Sequence, residues 1–275
     1  MNGVRLFFDV EGAKWVPDGP VLREKPTLLL LHGGPGLDHS SWKPAFSALT
    51  DLVQLVYLDQ RGNGRSDRST PEHWTLDQWA DDVRSLCEAL GIGRPVVMGT
   101  SFGGFVAQAY AIRHPGHASR LILSSTGARI RLPLVLERFE ARGGAEARMA
   151  AERFWTDPGP ETLPAYLTQA IPLYNVRPET STDALRRSIM NLNLLFHFAR
   201  NGMGFDFRDA LASVACPTLV LGGALDPICP IEYQEEIAAA LPSGARYERF
   251  ENAGHGVFRD EPERAFAVLR EFLCA

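Results

Sequence analysis

The sequence predicts an α/β fold, a mostly parallel central sheet flanked by helices, with a helical cap inserted after the sixth strand. Three observations carry that prediction. Short apolar runs rich in Leu, Ile and Val alternate with amphipathic runs, the rhythm of a sheet covered by helices on both faces. Glycine-rich turns directly follow several of the apolar runs, where strands end. Between about Gly127 and Phe207 the rhythm stops, and helical pieces succeed one another without a strand.

Taken in order, an antiparallel hairpin is expected in the first twenty or so residues, where Gly12 and the Pro17–Gly19 stretch supply turns. The clearest strands are Thr27–Leu31, Val53–Leu58, Pro95–Met98, Leu121–Ser124, Pro217–Leu221 and Arg246–Phe250. Several are apolar throughout, because a parallel strand is buried on both faces. Behind a Thr75 cap, residues 75–90 place Leu76, Trp79, Val83, Leu86 and Leu90 on one helical stripe that can pack on a sheet. Residues 261–273 repeat the pattern, with Phe266, Leu269 and Leu273 inward. LPLVLERFEARGG, ETLPAYLTQAIPLY and DALRRSIMNLNLLFHFARNG fill the interruption, which is too long for a plain loop and reads as a cap over the strand ends. The expected division is a core of residues 1–127 and 208–275 and a cap of residues 128–207.

The 275 residues, 45% hydrophobic and 22% charged, can bury a full core with no metal or disulfide. A net charge of -5 with scattered Lys and Arg argues against a nucleic-acid partner. MNGVRLFFDVEG lacks the apolar run of ~7–15 residues that a signal peptide needs, and no stretch approaches the ~18 of a membrane span. A cytoplasmic protein with no membrane partner is expected. Cys87, Cys216, Cys229 and Cys274 show no CxxC pairing and read as small buried apolar residues in a reducing compartment.

Gly99, Ser101 and Gly103 form G-x-S-x-G between a predicted strand and a predicted helix. In that context the pattern is a nucleophile elbow: a sharp turn forces the serine into a strained conformation, and small neighbours remove the clashing Cβ atoms. The hydroxyl then stands above a helix N-terminus, where developing negative charge is favoured. Serine needs a base that is itself oriented by a carboxylate. Asp226, after the strand PTLVLGGALD, and His255, in ENAGHGVFRDEPE, follow in the order Ser, Asp, His. LLLLHGGPG runs a strand into glycines whose amides can hold an oxyanion, each such donor contributing ~3–4 kcal/mol. The hole is assigned to the amides of Phe102 and Gly34, with Gly33 as the alternative. No histidine pair has metal-ligand spacing with a third ligand, so neither metal nor cofactor is expected.

HGGPG at 32–36 followed by DQRGNGRSD at 59–67 resembles the α/β-hydrolases, and within them the proline iminopeptidase-like group, over essentially the whole chain. The resemblance implies that Asp59, Arg61, Gly62 and Gly64 shape a turn beside the active site. True proline iminopeptidases look like GGSWG around the nucleophile, where this chain has GTSFGG, and carry acidic cap residues that hold a free amine. Glu137, Glu140, Glu152, Asp157 and Glu161 are the cap acids here, with no matching motif around Trp155. The expected function is a serine hydrolase that forms an acyl-enzyme with a small ester, lactone or amide, its substrate a small molecule or short peptide. Cap aromatics should line an apolar pocket, with Trp155, His197 and Phe198 as candidate substrate contacts. A proline iminopeptidase, a carbon–carbon bond hydrolase and a non-catalytic ligand receptor stay open as alternatives. Oligomeric state has no signature in the chain.

Overall fold

Nine strands form among the described residues of this chain: β1 (Phe8–Glu11), β2 (Trp15–Asp18), β3 (Val21–Glu24), β4 (Thr27–Leu31), β5 (Gln54–Leu58), β6 (Val96–Thr100), β7 (Arg120–Ser124), β8 (Thr218–Gly223) and β9 (Arg246–Phe250). They are seen in a computed structural model that describes residues 1–177, 186–242 and 245–275. Seven of them make one sheet in the order β1-β5-β4-β6-β7-β8-β9. All its pairings are parallel except that of β1, which lies antiparallel on β5.

The leucines of β4 show how the sheet is held. Successive side chains alternate between faces, so Leu29 and Leu31 enter one apolar cluster while Leu28 and Leu30 enter the other. The first cluster takes Trp79, Val83 and Leu86 from α1 (Leu76–Ala89) and Phe102, Val106 and Tyr110 from α2 (Phe102–Arg113). Thr75 caps α1, its hydroxyl accepting the Gln78 N–H. The second takes Ala265, Val268 and Leu269 from the C-terminal helix Pro262–Cys274. Each buried Leu stabilises the fold by roughly 1.5–3 kcal/mol through its removal from water.

Between β7 and β8 the chain is helical through α3 (Leu132–Thr156), broken at Gly144, a series of short turns over 163–173, and α4 (Leu192–Asn201). The first three residues of the expected helix DALRRSIMNLNLLFHFARNG lie outside the described residues. Val135, Phe139, Phe154, Tyr166 and Phe196 from these helices cluster with Cys229 and Tyr233, which come from beyond β8. Asn191, capping α4, donates from its backbone to the Gly36 carbonyl (2.8 Å) and from its side chain to that of Gly62 (2.8 Å).

Two expectations need correction. The helical insertion follows the seventh strand, not the sixth, because the N-terminal segment makes three strands: β1 joins the sheet edge, and β2 and β3 pair only with each other. Cys274, at the end of the last helix, is exposed instead of buried.

Behind the Ser101 turn, the DQRGNGRSD loop is anchored by a fully buried ion pair. Arg61 meets both carboxylate oxygens of Asp82 on α1 at 2.7 Å, and its carbonyl accepts the Trp79 indole N–H. Removing one partner strands a buried charge. Asp82→Ala should therefore lower the unfolding free energy by about 3–5 kcal/mol in urea denaturation. A loss below about 1 kcal/mol would place this pair among the weak ones.

Candidate active site

Ser101 sits between β6 and α2 with φ 53° and ψ -122°, a left-handed backbone that costs a non-glycine residue on the order of 1–3 kcal/mol. Surrounding hydrogen bonds hold it there. Its N–H donates to the Ser124 carbonyl on β7 (3.1 Å), and its carbonyl accepts the Gly104 N–H (2.9 Å) and the Thr126 hydroxyl (2.8 Å). A Cβ at Gly99 would collide with the Gly103 carbonyl, and one at Gly103 with that of Leu31. The G-x-S-x-G spacing is thus a packing requirement: the turn lies too close to itself and to β4 for any side chain.

Asp226 follows the Gly222–Gly223 turn at the end of β8 and is 1% exposed. One carboxylate oxygen accepts the Ile228 and Cys229 amides, each at 2.9 Å, and the other lies 2.8 Å from His255 Nδ1. With Nδ1–H donated to Asp226, Nε2 is the basic nitrogen. The His255 loop is held from the helical insertion. His255 donates its backbone N–H to the Tyr174 carbonyl (2.6 Å), Gly256 donates to Asn175 Oδ1 (2.7 Å), and the Tyr174 ring stands edge-on to the imidazole at 5.2 Å. Asp260 ties the two segments together by accepting the amides of Gly254 (2.8 Å), Val176 (3.0 Å) and Arg177 (3.2 Å).

Ser101 and His255 line one cavity with Gly33 and Gly34. A Cβ at Gly33 would stand 3.3 Å from Ser101 Cβ, so this loop passes directly over the serine. Among the described residues, the backbone amides of Gly33, Gly34 and Phe102 have no protein acceptor. His32 is fully buried and braces the loop, its Nδ1 2.7 Å from the Gly33 carbonyl and its own carbonyl accepting the Gln60 amide.

The cavity has a volume of about 260 Å³, and most of its wall is apolar. Of the cap aromatics, Phe154, Trp155, Tyr166, Tyr174 and Phe198 reach it; Phe139 and Phe196 pack behind them. Trp155 donates its indole N–H to the Tyr166 hydroxyl (3.0 Å), which bonds that of Tyr174 (2.5 Å). His197 does not reach the cavity. One residue along a helix turns the side chain by about 100°, and where Phe198 points inward, His197 packs edge-on against Trp74. Glu137, Glu140, Glu152, Asp157 and Glu161 are all exposed, and no Asp or Glu is among the described residues of the wall.

Cys229 was not singled out by its sequence context, yet it lines the cavity together with Ser101 and His255. Asp226, Cys229 and His255 bring potential ligand atoms within 4.8 Å of one another. This donor set fits a metal poorly, since Asp226 already serves His255 and two amides, and burial, reinforced by the Asp226 charge, pushes the thiol pKa well up.

The family model for the alpha/beta hydrolase fold matches residues 26–262, and the chain belongs to that family. It is a hydrolase. A proline iminopeptidase of Pestalotiopsis fici, PfmaB, is 28% identical, covering 99% of this chain and 97% of its own. The AB hydrolase superfamily protein YisY of Bacillus subtilis is 30% identical over 89% of this chain and 90% of its own. The solved structure of a thermophilic esterase from Thermogutta terrifontis is 31% identical, covers 98% of this chain and 93% of that one, and superposes with a TM-score of 0.72. No helix among the described residues is long and apolar enough to cross a membrane.

Thiolate, not thiol, is the reactive form of cysteine. Iodoacetamide at pH 8 should label exposed Cys274 in the folded protein and reach Cys229 only after denaturation, as read by peptide mass spectrometry. Equal labelling rates at the two positions would mean that Cys229 ionises in place.

Proposed function

We propose that this hydrolase acts through Ser101, Asp226 and His255 on a small ester or lactone held beneath a cap of residues 128–207. The observation that carries the reading is that Ser101 and His255 line one apolar cavity with Gly33 and Gly34, and that among the described residues the amides of Gly33, Gly34 and Phe102, the residue after Ser101, have no protein acceptor. His255 Nε2 takes the hydroxyl proton as Ser101 Oγ attacks the carbonyl carbon, and Asp226 stabilises the imidazolium. Charge moving onto the carbonyl oxygen is met by the amides of Phe102 and Gly34 or Gly33. Collapse expels the alcohol, which takes the proton from His255. Water then repeats the sequence on the acyl-enzyme and releases the acid.

An ester or lactone suits the wall better than an N-terminal proline. A free ammonium needs a counter-charge when buried, and the described wall supplies none; its one fixed charge is the cation Arg259. Proline release stays as the second reading because of the HGGPG loop and the relative named for that activity.

Ser101→Ala should abolish labelling by a fluorophosphonate probe and lower turnover of p-nitrophenyl esters by on the order of 10⁴ or more. Wild-type protein that takes no label would sink the mechanism. A parallel panel of short p-nitrophenyl esters, lactones and proline arylamides decides the substrate. Turnover is expected on the first two; arylamide hydrolysis at equal efficiency would make the peptidase reading the right one.

A further inference from the structure

We propose that Arg259 forms an anion subsite in the cavity wall and that the substrate carries a carboxylate in addition to its scissile carbonyl. The proposal rests on the reading of Ser101, Asp226 and His255 as an ester-cleaving site.

Arg259 lies on the short helix Val257–Asp260, four residues after His255. Its side chain runs back beside the histidine loop: a Cβ built on Gly256 would stand 3.4 Å from Arg259 Cδ and 3.5 Å from its Cβ. Apart from His255, it is the only ionisable acid–base side chain of the Asp, Glu, Lys, Arg and His types among the described wall residues. Among those described, the guanidinium has no hydrogen-bond or ion-pair partner. Its sequence neighbour Asp260 does not serve it, since both Asp260 oxygens accept backbone amides that stitch residues 174–177 to the His255 loop. Burial pulls the Arg259 pKa down, Asp260 opposes that, and the nearby charge of Arg187 adds to it.

A half-buried guanidinium set in a wall this apolar is costly to leave without an anion. The rest of this wall offers donors too. Trp42 also lines the cavity, and its buried indole N–H has no acceptor among the described residues. Trp42 stands edge-on to Phe46 at 4.6 Å, Phe46 meets Phe258 at 5.0 Å, and Arg259 follows Phe258 in the chain. An acceptor-only ligand group is what such a surface lacks. A single planar guanidinium matches the geometry and the single charge of a carboxylate, and the apolar rings around it leave no second cation in the described wall for a phosphate dianion.

The test compares kcat/KM for two charged and neutral pairs: mono-p-nitrophenyl glutarate against p-nitrophenyl valerate, with the charge on the acyl side, and 4-butyryloxybenzoate against phenyl butyrate, with the charge on the leaving group. Wild type should favour the charged member of at least one pair, and Arg259→Met should lower that charged-to-neutral ratio by about 10–100-fold, the range of a charge-assisted hydrogen bond. Arg259→Lys, which keeps the charge without the planar fork, should recover part of the ratio and serves if the Met variant does not fold. A ratio that Arg259→Met leaves unchanged, or no charged preference in wild type, overturns the subsite. Should no ester turn over, the hydrolytic reading fails by itself, and calorimetric titration of glutarate then decides the subsite. Binding that Arg259→Met abolishes supports it, and absent or unaltered binding overturns it.

Discussion

The turn at Ser101 is packed so closely against itself and β4 that only glycine fits at 99 and 103, and the rest of the site depends on that crowding. A serine backbone at φ 53° is unfavourable in isolation. It persists because β7 supplies an acceptor for its amide, Thr126 binds its carbonyl, and α2 begins immediately after it. The same closeness brings the Gly33 loop over the serine side chain and leaves amides there with no acceptor among the described residues. Backbone strain and free amides are thus two results of one compact junction between β4, β6 and α2.

The imidazole is held by a different logic. Asp226 is fixed at the end of β8 by the amides of residues 228 and 229, so it presents its remaining oxygen to His255 at a set angle. The loop bearing His255 is then fastened to residues 174–177, through Tyr174, Asn175 and Asp260. The helical insertion therefore does more than line the cavity: it supplies acceptors that hold the histidine loop. Movement of that segment would be felt at the imidazole.

Much of the fold was legible because its signals are local. The runs that become β4 and β9 have the expected bounds, and the other four expected strands differ at their ends by one or two residues, as fraying ladders do. The N-terminal strands were harder to read. Phe8–Glu11 and the β2–β3 ribbon have similar composition, and only the available edge of β5 decides which of them joins the sheet. Ser101, Asp226 and His255 each follow a strand in a glycine-marked loop, which made them visible as candidates. Cys229, Asn175, Asp260 and Arg259 carry no such mark. Asn175 and Asp260 matter through partners far along the chain, Cys229 and Arg259 through the cavity they line, and HGVFRDEPE reads equally well as an ordinary helix start.

Sequence alone determined the layered α/β architecture, the interruption that houses the helices, and the order of the candidate catalytic residues. Those features depend on hydrophobic periodicity and on glycine at tight turns, both of which act over a few residues. Tertiary structure decided which side chains face the cavity. Phe198 points in and His197 out because α4 is rotated by its packing on the core, and all five cap acids face solvent. The charge character of the described wall, apolar with a single fixed cation, arises only where the loop after β4, the helical insertion and the His255 loop converge. No short-range pattern encodes that convergence, since it depends on contacts between segments remote in the chain.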